Sequence, residues 1–221
     1  MKVCTDACIL GAWTAKKRKK NIAEKLNILD IGAGTGLLSL MLAQQLQAMI
    51  YAVELDEAAA LQAKENVAAS PWPQKITVYR QNIMDFKPAN KYDLIISNPP
   101  FYENELKSSN FEKNAAKHDT ALKLHELVSC TGQLLADEGT AFILLPHHRT
   151  ERFVELVKGN KLFITERLLV RQSPAQDFFR TVFKLSKKGD PTVTTELTIH
   201  DSQRQYTDPF RDLLKEYYLK F

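Results

Sequence analysis

The sequence is poor in the residues from which braced or metal-built proteins are made. Its three cysteines, Cys4, Cys8 and Cys130, form no CxxC pair and have no histidine at metal-ligand spacing, which excludes a disulfide framework and a zinc ribbon and leaves reduced thiols. Histidine is scarce too, at five, and His147 and His148 lack a third ligand at suitable spacing, so no metal is expected. No stretch reaches the roughly 18 to 20 uninterrupted apolar residues of a membrane span, and Asp6 interrupts what would be a signal peptide's apolar segment. A cytoplasmic chain with no membrane partner is the expectation. There is no internal repeat and no low-complexity segment. The one dense basic run is "AKKRKK" at residues 15–20, and the net charge of +4 permits a nucleic-acid partner without requiring one.

What is present is an alternation of short, β-branched or Leu-rich runs with longer amphipathic stretches, the pattern of a mostly parallel sheet covered by helices. Residues 26–32, 49–56, 76–82, 93–98 and 141–146 read as five strands buried on both faces. From residue 161 the pattern changes, and "LFITERLLV" and "FRTVFKLSK" read as an antiparallel strand pair at the sheet edge. The chain closes on a helix with Thr207 or Asp208 as N-cap and Pro209 in its first turn, where a missing N–H costs nothing. At 221 residues the fold class is α/β, in a single domain over residues 1–221.

The chemistry-bearing residues fall at strand ends. "LDIGAGTGLLSL" runs from the first strand into a helix through Gly32, Gly34 and Gly36, which lets the backbone turn tightly and exposes N–H groups to a ligand. Glu54, about twenty residues on, ends the second strand where a carboxylate accepts hydrogen bonds from a ribose diol. The dinucleotide pattern would need glycine at position 37, which is Leu37, so NAD is disfavoured. "SNPPF" ends the fourth strand, beside which an open parallel sheet reverses its order and binds ligands. An exocyclic amine conjugated to a ring or carbonyl is a poor nucleophile until both its protons are accepted. Asn98 offers a side-chain carbonyl and Pro99 a backbone carbonyl held by the prolines around it, while Phe101 offers a stacking face.

The string Asp30, Gly32, Gly34, Gly36 resembles the first motif of class I S-adenosylmethionine-dependent methyltransferases. Asn98, Pro99, Pro100 and Phe101 resemble the catalytic motif of those acting on planar amine or amide nitrogens. The opening "MKVCTDACILGAW" and closing "YTDPFRDLLKEYYL" are similar to the bacterial tRNA1(Val) adenine-N6 methyltransferase family, so the resemblance covers nearly the whole chain. It implies a Rossmann-like methyltransferase sheet with an antiparallel C-terminal strand pair, S-adenosylmethionine as cofactor, tRNA as partner and a monomer. It also implies cofactor contacts from Lys2, Thr5 and Asp6 in a segment folded over the methionine end, and from Asp30, the three glycines, Glu54, Leu55, Asn82, Ile83 and Asn98. Asn82 stands where class I methyltransferases usually have an Asp against the adenine ring. Lys117 and His118 stand where the tRNA1(Val) family tends to have an Arg-His pair. Because the family carries residues ahead of the opening motif, either the start is truncated or some substrate-binding surface is absent. The run at 15–20, following the opening segment, is expected near the rim of the site. A release-factor-type protein-glutamine methyltransferase shares the Asn-Pro-Pro-aromatic motif but places a helical domain ahead of the catalytic one, for which there is no room here. A catalytically silent cofactor-binding or RNA-binding subunit has no need of the motif.

Overall fold

The computed structural model describes residues 4–18, 25–100 and 122–221. Its centre is one eight-stranded sheet of β1 (Leu26–Ile31), β2 (Ala48–Glu54), β3 (Ile76–Arg80), β4 (Tyr92–Ser97), β5 (Leu135–Pro146), β6 (Phe163–Arg171), β7 (Phe178–Ser186) and β8 (Val193–Thr198). The spatial order is β3-β2-β1-β4-β5-β7-β6-β8. Pairing is parallel from β3 to β5 and between β6 and β8, and antiparallel on both sides of β7, so β7 alone runs against the rest. The chain leaves β1 to one side for β2 and β3 and returns on the other for β4, which opens a crevice at the carboxyl ends of β1 and β4.

Both faces of the central strands are packed because residues alternate along them. Leu26 and Ile28 of β1, Leu94 and Ile96 of β4, and Phe142 and Leu144 of β5 face α1 (Thr5–Arg18), α2 (Leu37–Gln45) and α6 (Asp208–Leu214). Leu29, Ile31, Ile95, Ile143 and Phe183 face α4 (Leu124–Leu134) and α5 (Thr150–Gly159). Between β2 and β3 runs α3 (Glu57–Ala68), started by Asp56, whose side chain accepts a hydrogen bond from the Ala59 N–H. Thr207 is the cap that opens α6, accepting from the Phe210 N–H with Pro209 in the first turn.

The opening segment is a core helix. Every residue of α1 from Ala7 to Ala15 is buried, which is what a helix apolar on all sides requires. Trp13 meets Phe142 edge to face with ring centroids 5.6 Å apart. Gly11 sets the approach of α1 to α2, since a Cβ there would lie 2.8 Å from the Met41 sulfur. At its far end Lys17 and Lys184 share the carboxylate of Glu166, strapping α1 to β6 and β7. Burial alone would raise the Glu166 carboxyl, but the hydrogen bonds from the two lysines outweigh it and hold the group below its ordinary 4.5.

Replacing Glu166 by Gln is expected to lower the unfolding free energy at pH 7 by about 1 to 2 kcal/mol in urea titrations. A depressed carboxyl contributes fully above its unfolded value and loses that contribution as pH falls through the folded one. The gap between wild type and Glu166→Gln should therefore close below pH 4.5. A gap that persists unchanged into acid would show that the carboxylate's charge is not what braces α1.

Candidate active site

The turn after β1 is built from backbone that only glycine adopts without strain. Gly32, Gly34 and Gly36 have φ of 70°, 57° and 82°. The Gly32 and Ala33 N–H groups donate to the Val53 carbonyl, at 2.9 and 3.2 Å, which pins the loop to the end of β2. Glu54, the last residue of β2, bridges the same gap: its Oε2 accepts from the Gly34 N–H at 2.7 Å and its Oε1 from the Asp56 N–H at 2.8 Å. The glycine loop and the acid are thus in direct contact, with the carboxylate at the crevice mouth. Leu55, which follows, is 42 % exposed, an apolar surface at the same mouth. Asn82 and Ile83 close the far side at the end of β3, where Ile83 is buried and Asn82 Oδ1 accepts from the Met84 N–H at 3.0 Å. That cap holds the Asn82 oxygen and leaves its amide N–H groups as the part able to meet a ligand.

Asp30 lies beneath the loop and has no exposure at all. Its Oδ2 accepts from the Ser39 hydroxyl of α2 at 2.7 Å, while its Oδ1 is buried without a partner. Desolvation pushes this carboxyl up to about 7, against the Ser39 hydrogen bonds that lower it and with the charge of Glu54 adding to the rise. Such an acid is complementary to a cation brought against the loop, whose charge would favour the carboxylate.

Across the crevice, the Ser97 hydroxyl donates to the Ile31 carbonyl at 2.9 Å and ties the end of β4 to that of β1. Ile31 and Ser97 are register partners, so Asn98 follows directly beside Gly32. The Asn98 Oδ1 is buried and has no hydrogen-bond partner among the described residues. Pro99 is buried and Pro100 exposed. Two shielded oxygens without donors, Asp30 Oδ1 and Asn98 Oδ1, therefore belong to neighbouring strand ends, as they would in a site awaiting a cationic ligand and an amine. These features fit the cofactor implied by the glycine and Asn-Pro-Pro motifs. Lys2, Phe101, Lys117 and His118 lie outside the described residues.

The first turn of α1 stands at the same end of the sheet. Arg180 Nε donates to Asp6 Oδ2 at 2.7 Å, Arg180 is the register partner of Pro146 at the end of β5, and Thr5 hydrogen-bonds Tyr218. The described part of the basic run does not lie there. Lys17 reaches Glu166 and Lys184, and Lys184 pairs with Phe142, roughly 13 Å back along β7 from Arg180. For the described residues 15–18 the expectation of a place at the rim is not met, because α1 descends along the sheet from Asp6 and carries Lys17 toward the opposite end; Lys19 and Lys20 lie outside the described residues. His147, weighed in the sequence only as a metal ligand, has its Nδ1 2.8 Å from the Thr181 hydroxyl, just past the end of β5. Nothing in its local sequence signals that partner, which is 34 positions away. Among the described residues no group of His, Cys, Asp and Glu is placed to hold a metal ion, and no helix there is long and apolar enough to cross a membrane.

Residues 15–152 match the methyltransferase small domain family. A tRNA1(Val) (adenine(37)-N6)-methyltransferase from Dyadobacter fermentans is 40 % identical, covering all of this chain and 92 % of its own. One of the same name from Pectobacterium carotovorum is 38 % identical, covering 99 % of this chain and 88 % of its own. Among solved structures, a predicted O-methyltransferase from Agrobacterium tumefaciens superposes with a TM-score of 0.72 at 17 % identity, over 96 % of both chains. The methyltransferase subunit of a type I restriction-modification system from Streptococcus thermophilus gives 0.68 at 14 % identity, over 97 % of this chain and 52 % of its own. These two share the fold of the sheet described above, a class I methyltransferase fold with its antiparallel strand.

A carboxyl raised from 3.8 to about 7 stabilises the folded protein only at acid pH, and the stability it leaves is lost as pH rises between those values. The ligand-free protein should lose stability from pH 4 to pH 7, and Asp30→Asn should flatten that slope in urea titrations at a series of pH values. An unchanged slope would mean that Asp30 is ionised throughout.

Proposed function

We propose, for a chain that belongs to the methyltransferase small domain family and to the tRNA1(Val) (adenine(37)-N6)-methyltransferases, that it moves a methyl group from S-adenosylmethionine to the exocyclic N6 of an adenine in tRNA, in the anticodon loop of tRNA(Val). The observation that carries the reading is the buried, unpartnered Asn98 Oδ1 at the end of β4, beside the glycine loop of β1.

S-Adenosylmethionine supplies a methyl group made electrophilic by its sulfonium. Gly32, Gly34 and Gly36 let it approach the backbone, Asp30 answers the positive charge of its amino-acid end, and Thr5 and Asp6 face that end from α1, as Lys2 would ahead of them. Glu54, now accepting from the Gly34 N–H, would accept from the ribose hydroxyls, Leu55 and Ile83 would hold the adenine, and the Asn82 amide, whose oxygen caps Met84, would offer its N–H groups to it. On the substrate side, Asn98 Oδ1 and the Pro99 carbonyl would each accept a hydrogen bond from one N–H of the N6 amine, which turns its lone pair out of conjugation toward the methyl group. Pro100 and Phe101 hold the plane of the base. An adenine N6 inside a stacked helix cannot reach such a crevice, so the substrate base is unstacked, which costs least in a single-stranded loop. All of this is the work of one catalytic domain over residues 1–221.

Asn98→Ala should lower kcat for methylation of a tRNA(Val) transcript by about 100- to 1000-fold, the usual effect of losing one preorganised polar contact. The dissociation constant for S-adenosylmethionine, by calorimetry, should stay within a few fold. Near-normal turnover in the variant would remove Asn98 from the reaction. Failure of the wild type to bind S-adenosylmethionine would sink the whole assignment.

A further inference from the structure

A parallel sheet is normally covered on both faces, yet one part of this one has no helix over it among the described residues. Between β3 and β4 the chain makes only a single helical turn, Ile83–Asp85, within residues 81–91. The face of β1, β2 and β3 beneath that connection is correspondingly aromatic. Tyr51 and Tyr79 stack with centroids 6.4 Å apart at 14°, Tyr92 meets Tyr51 edge-on at 5.5 Å, and Phe86 leans on Tyr79 at 5.4 Å. Around them opens a groove of about 480 Å³, a size that takes a small organic ligand. Its rim carries Lys87 and Lys91, both exposed and neither in an ion pair among the described residues, against one acid in the lining, Asp85. Flat aromatic walls under unpaired lysines are complementary to a planar ring bearing a negative charge.

The groove is separate from the crevice but adjoins it. Tyr51 and Tyr79 precede Glu54 and Asn82 by three residues, roughly 10 Å along their strands, and Tyr92 precedes Asn98 by six, roughly 20 Å. An RNA with one base in the crevice can therefore reach the groove with a neighbouring stretch. We propose that the groove binds an unpaired nucleotide of the RNA substrate, its base against the tyrosine rings and its phosphate on Lys87 and Lys91. Aromatic platforms beside cations hold single strands in this way without reading sequence. This proposal rests on RNA being the substrate. Of the described basic residues near the start of the chain, Lys17 is already bound into the core strap.

Methylation of a tRNA(Val) transcript is measured at several salt concentrations for the wild type, for Lys87→Ser with Lys91→Ser, and for Tyr79→Leu. Each variant should raise KM for tRNA about 5-fold or more, with kcat and S-adenosylmethionine affinity within 2-fold. In the lysine variant the salt dependence of binding should flatten by about 0.7 to 0.9 in slope per lost phosphate contact. The lysine substitutions are on the surface, so that variant reports even if Tyr79→Leu does not fold. Unchanged KM and unchanged slope in the lysine variant overturn the proposal while the wild type still methylates tRNA. A wild type that methylates no RNA overturns the functional reading beneath it instead. AMP serves as the free-nucleotide probe in calorimetry: binding that the variants lose, alongside an unchanged KM for tRNA, would assign the groove to a soluble nucleotide and reject the RNA contact.

Discussion

Shielding an oxygen from water without giving it a donor costs about 1 to 3 kcal/mol, and the fold does this at two neighbouring strand ends, with Asp30 Oδ1 and Asn98 Oδ1. Both stand at the place where the strand order reverses, with α2 leaving on one side and β4 arriving from the other. The reversal separates the chain segments that would otherwise supply donors. The sheet keeps the cost in place through contacts that fix each end: Gly32 and Ala33 to Val53, Ser97 to Ile31, Ser39 to Asp30. A strand end so held cannot relax to satisfy its own oxygens, so a ligand must.

The same logic distinguishes the two acids of the crevice. Glu54 sits at the mouth with both oxygens occupied by backbone N–H groups, which a hydroxyl-bearing ligand replaces at little cost. Asp30 sits beneath the loop with one oxygen idle, and burial raises its carboxyl, which a positive charge brought against the loop would counter. One acid is thus suited to a neutral diol and the other to a cation, which is the charge distribution along S-adenosylmethionine from ribose to amino acid.

Sequence patterns were legible where burial follows the strand. The runs at 26–32, 49–56, 76–82 and 93–98 match β1 to β4 to within two residues at each end, but the expected burial on both faces holds only for the inner strands: β3, at the sheet edge, exposes Thr77 and Arg80. β5 begins six residues earlier than its apolar run because Asp137 and Glu138 are exposed there while the strand still reaches back to Tyr92, with a register shift and Gly139 too close to the Tyr92 carbonyl for a side chain. β8 left no signal, since Val193 through Glu196 are all exposed on an edge that pairs only with β6. The site motifs, Asp30 with its glycines and Asn98 with its prolines, were legible because they are local. The place of the basic run was not, because the partner that fixes Lys17 lies 149 positions away, and the aromatic groove is assembled from four separate segments.

The central claim is that this crevice presents an adenine amine to a methyl donor, and the products of the reaction test it most directly. Folded tRNA is incubated with the protein and S-adenosylmethionine carrying a deuterated methyl group, then digested to nucleosides and weighed by mass spectrometry, with a release factor in a parallel reaction. The account predicts label in N6-methyladenosine from tRNA and little or none in the protein. Label in a glutamine of the release factor, with none in adenosine, would contradict it.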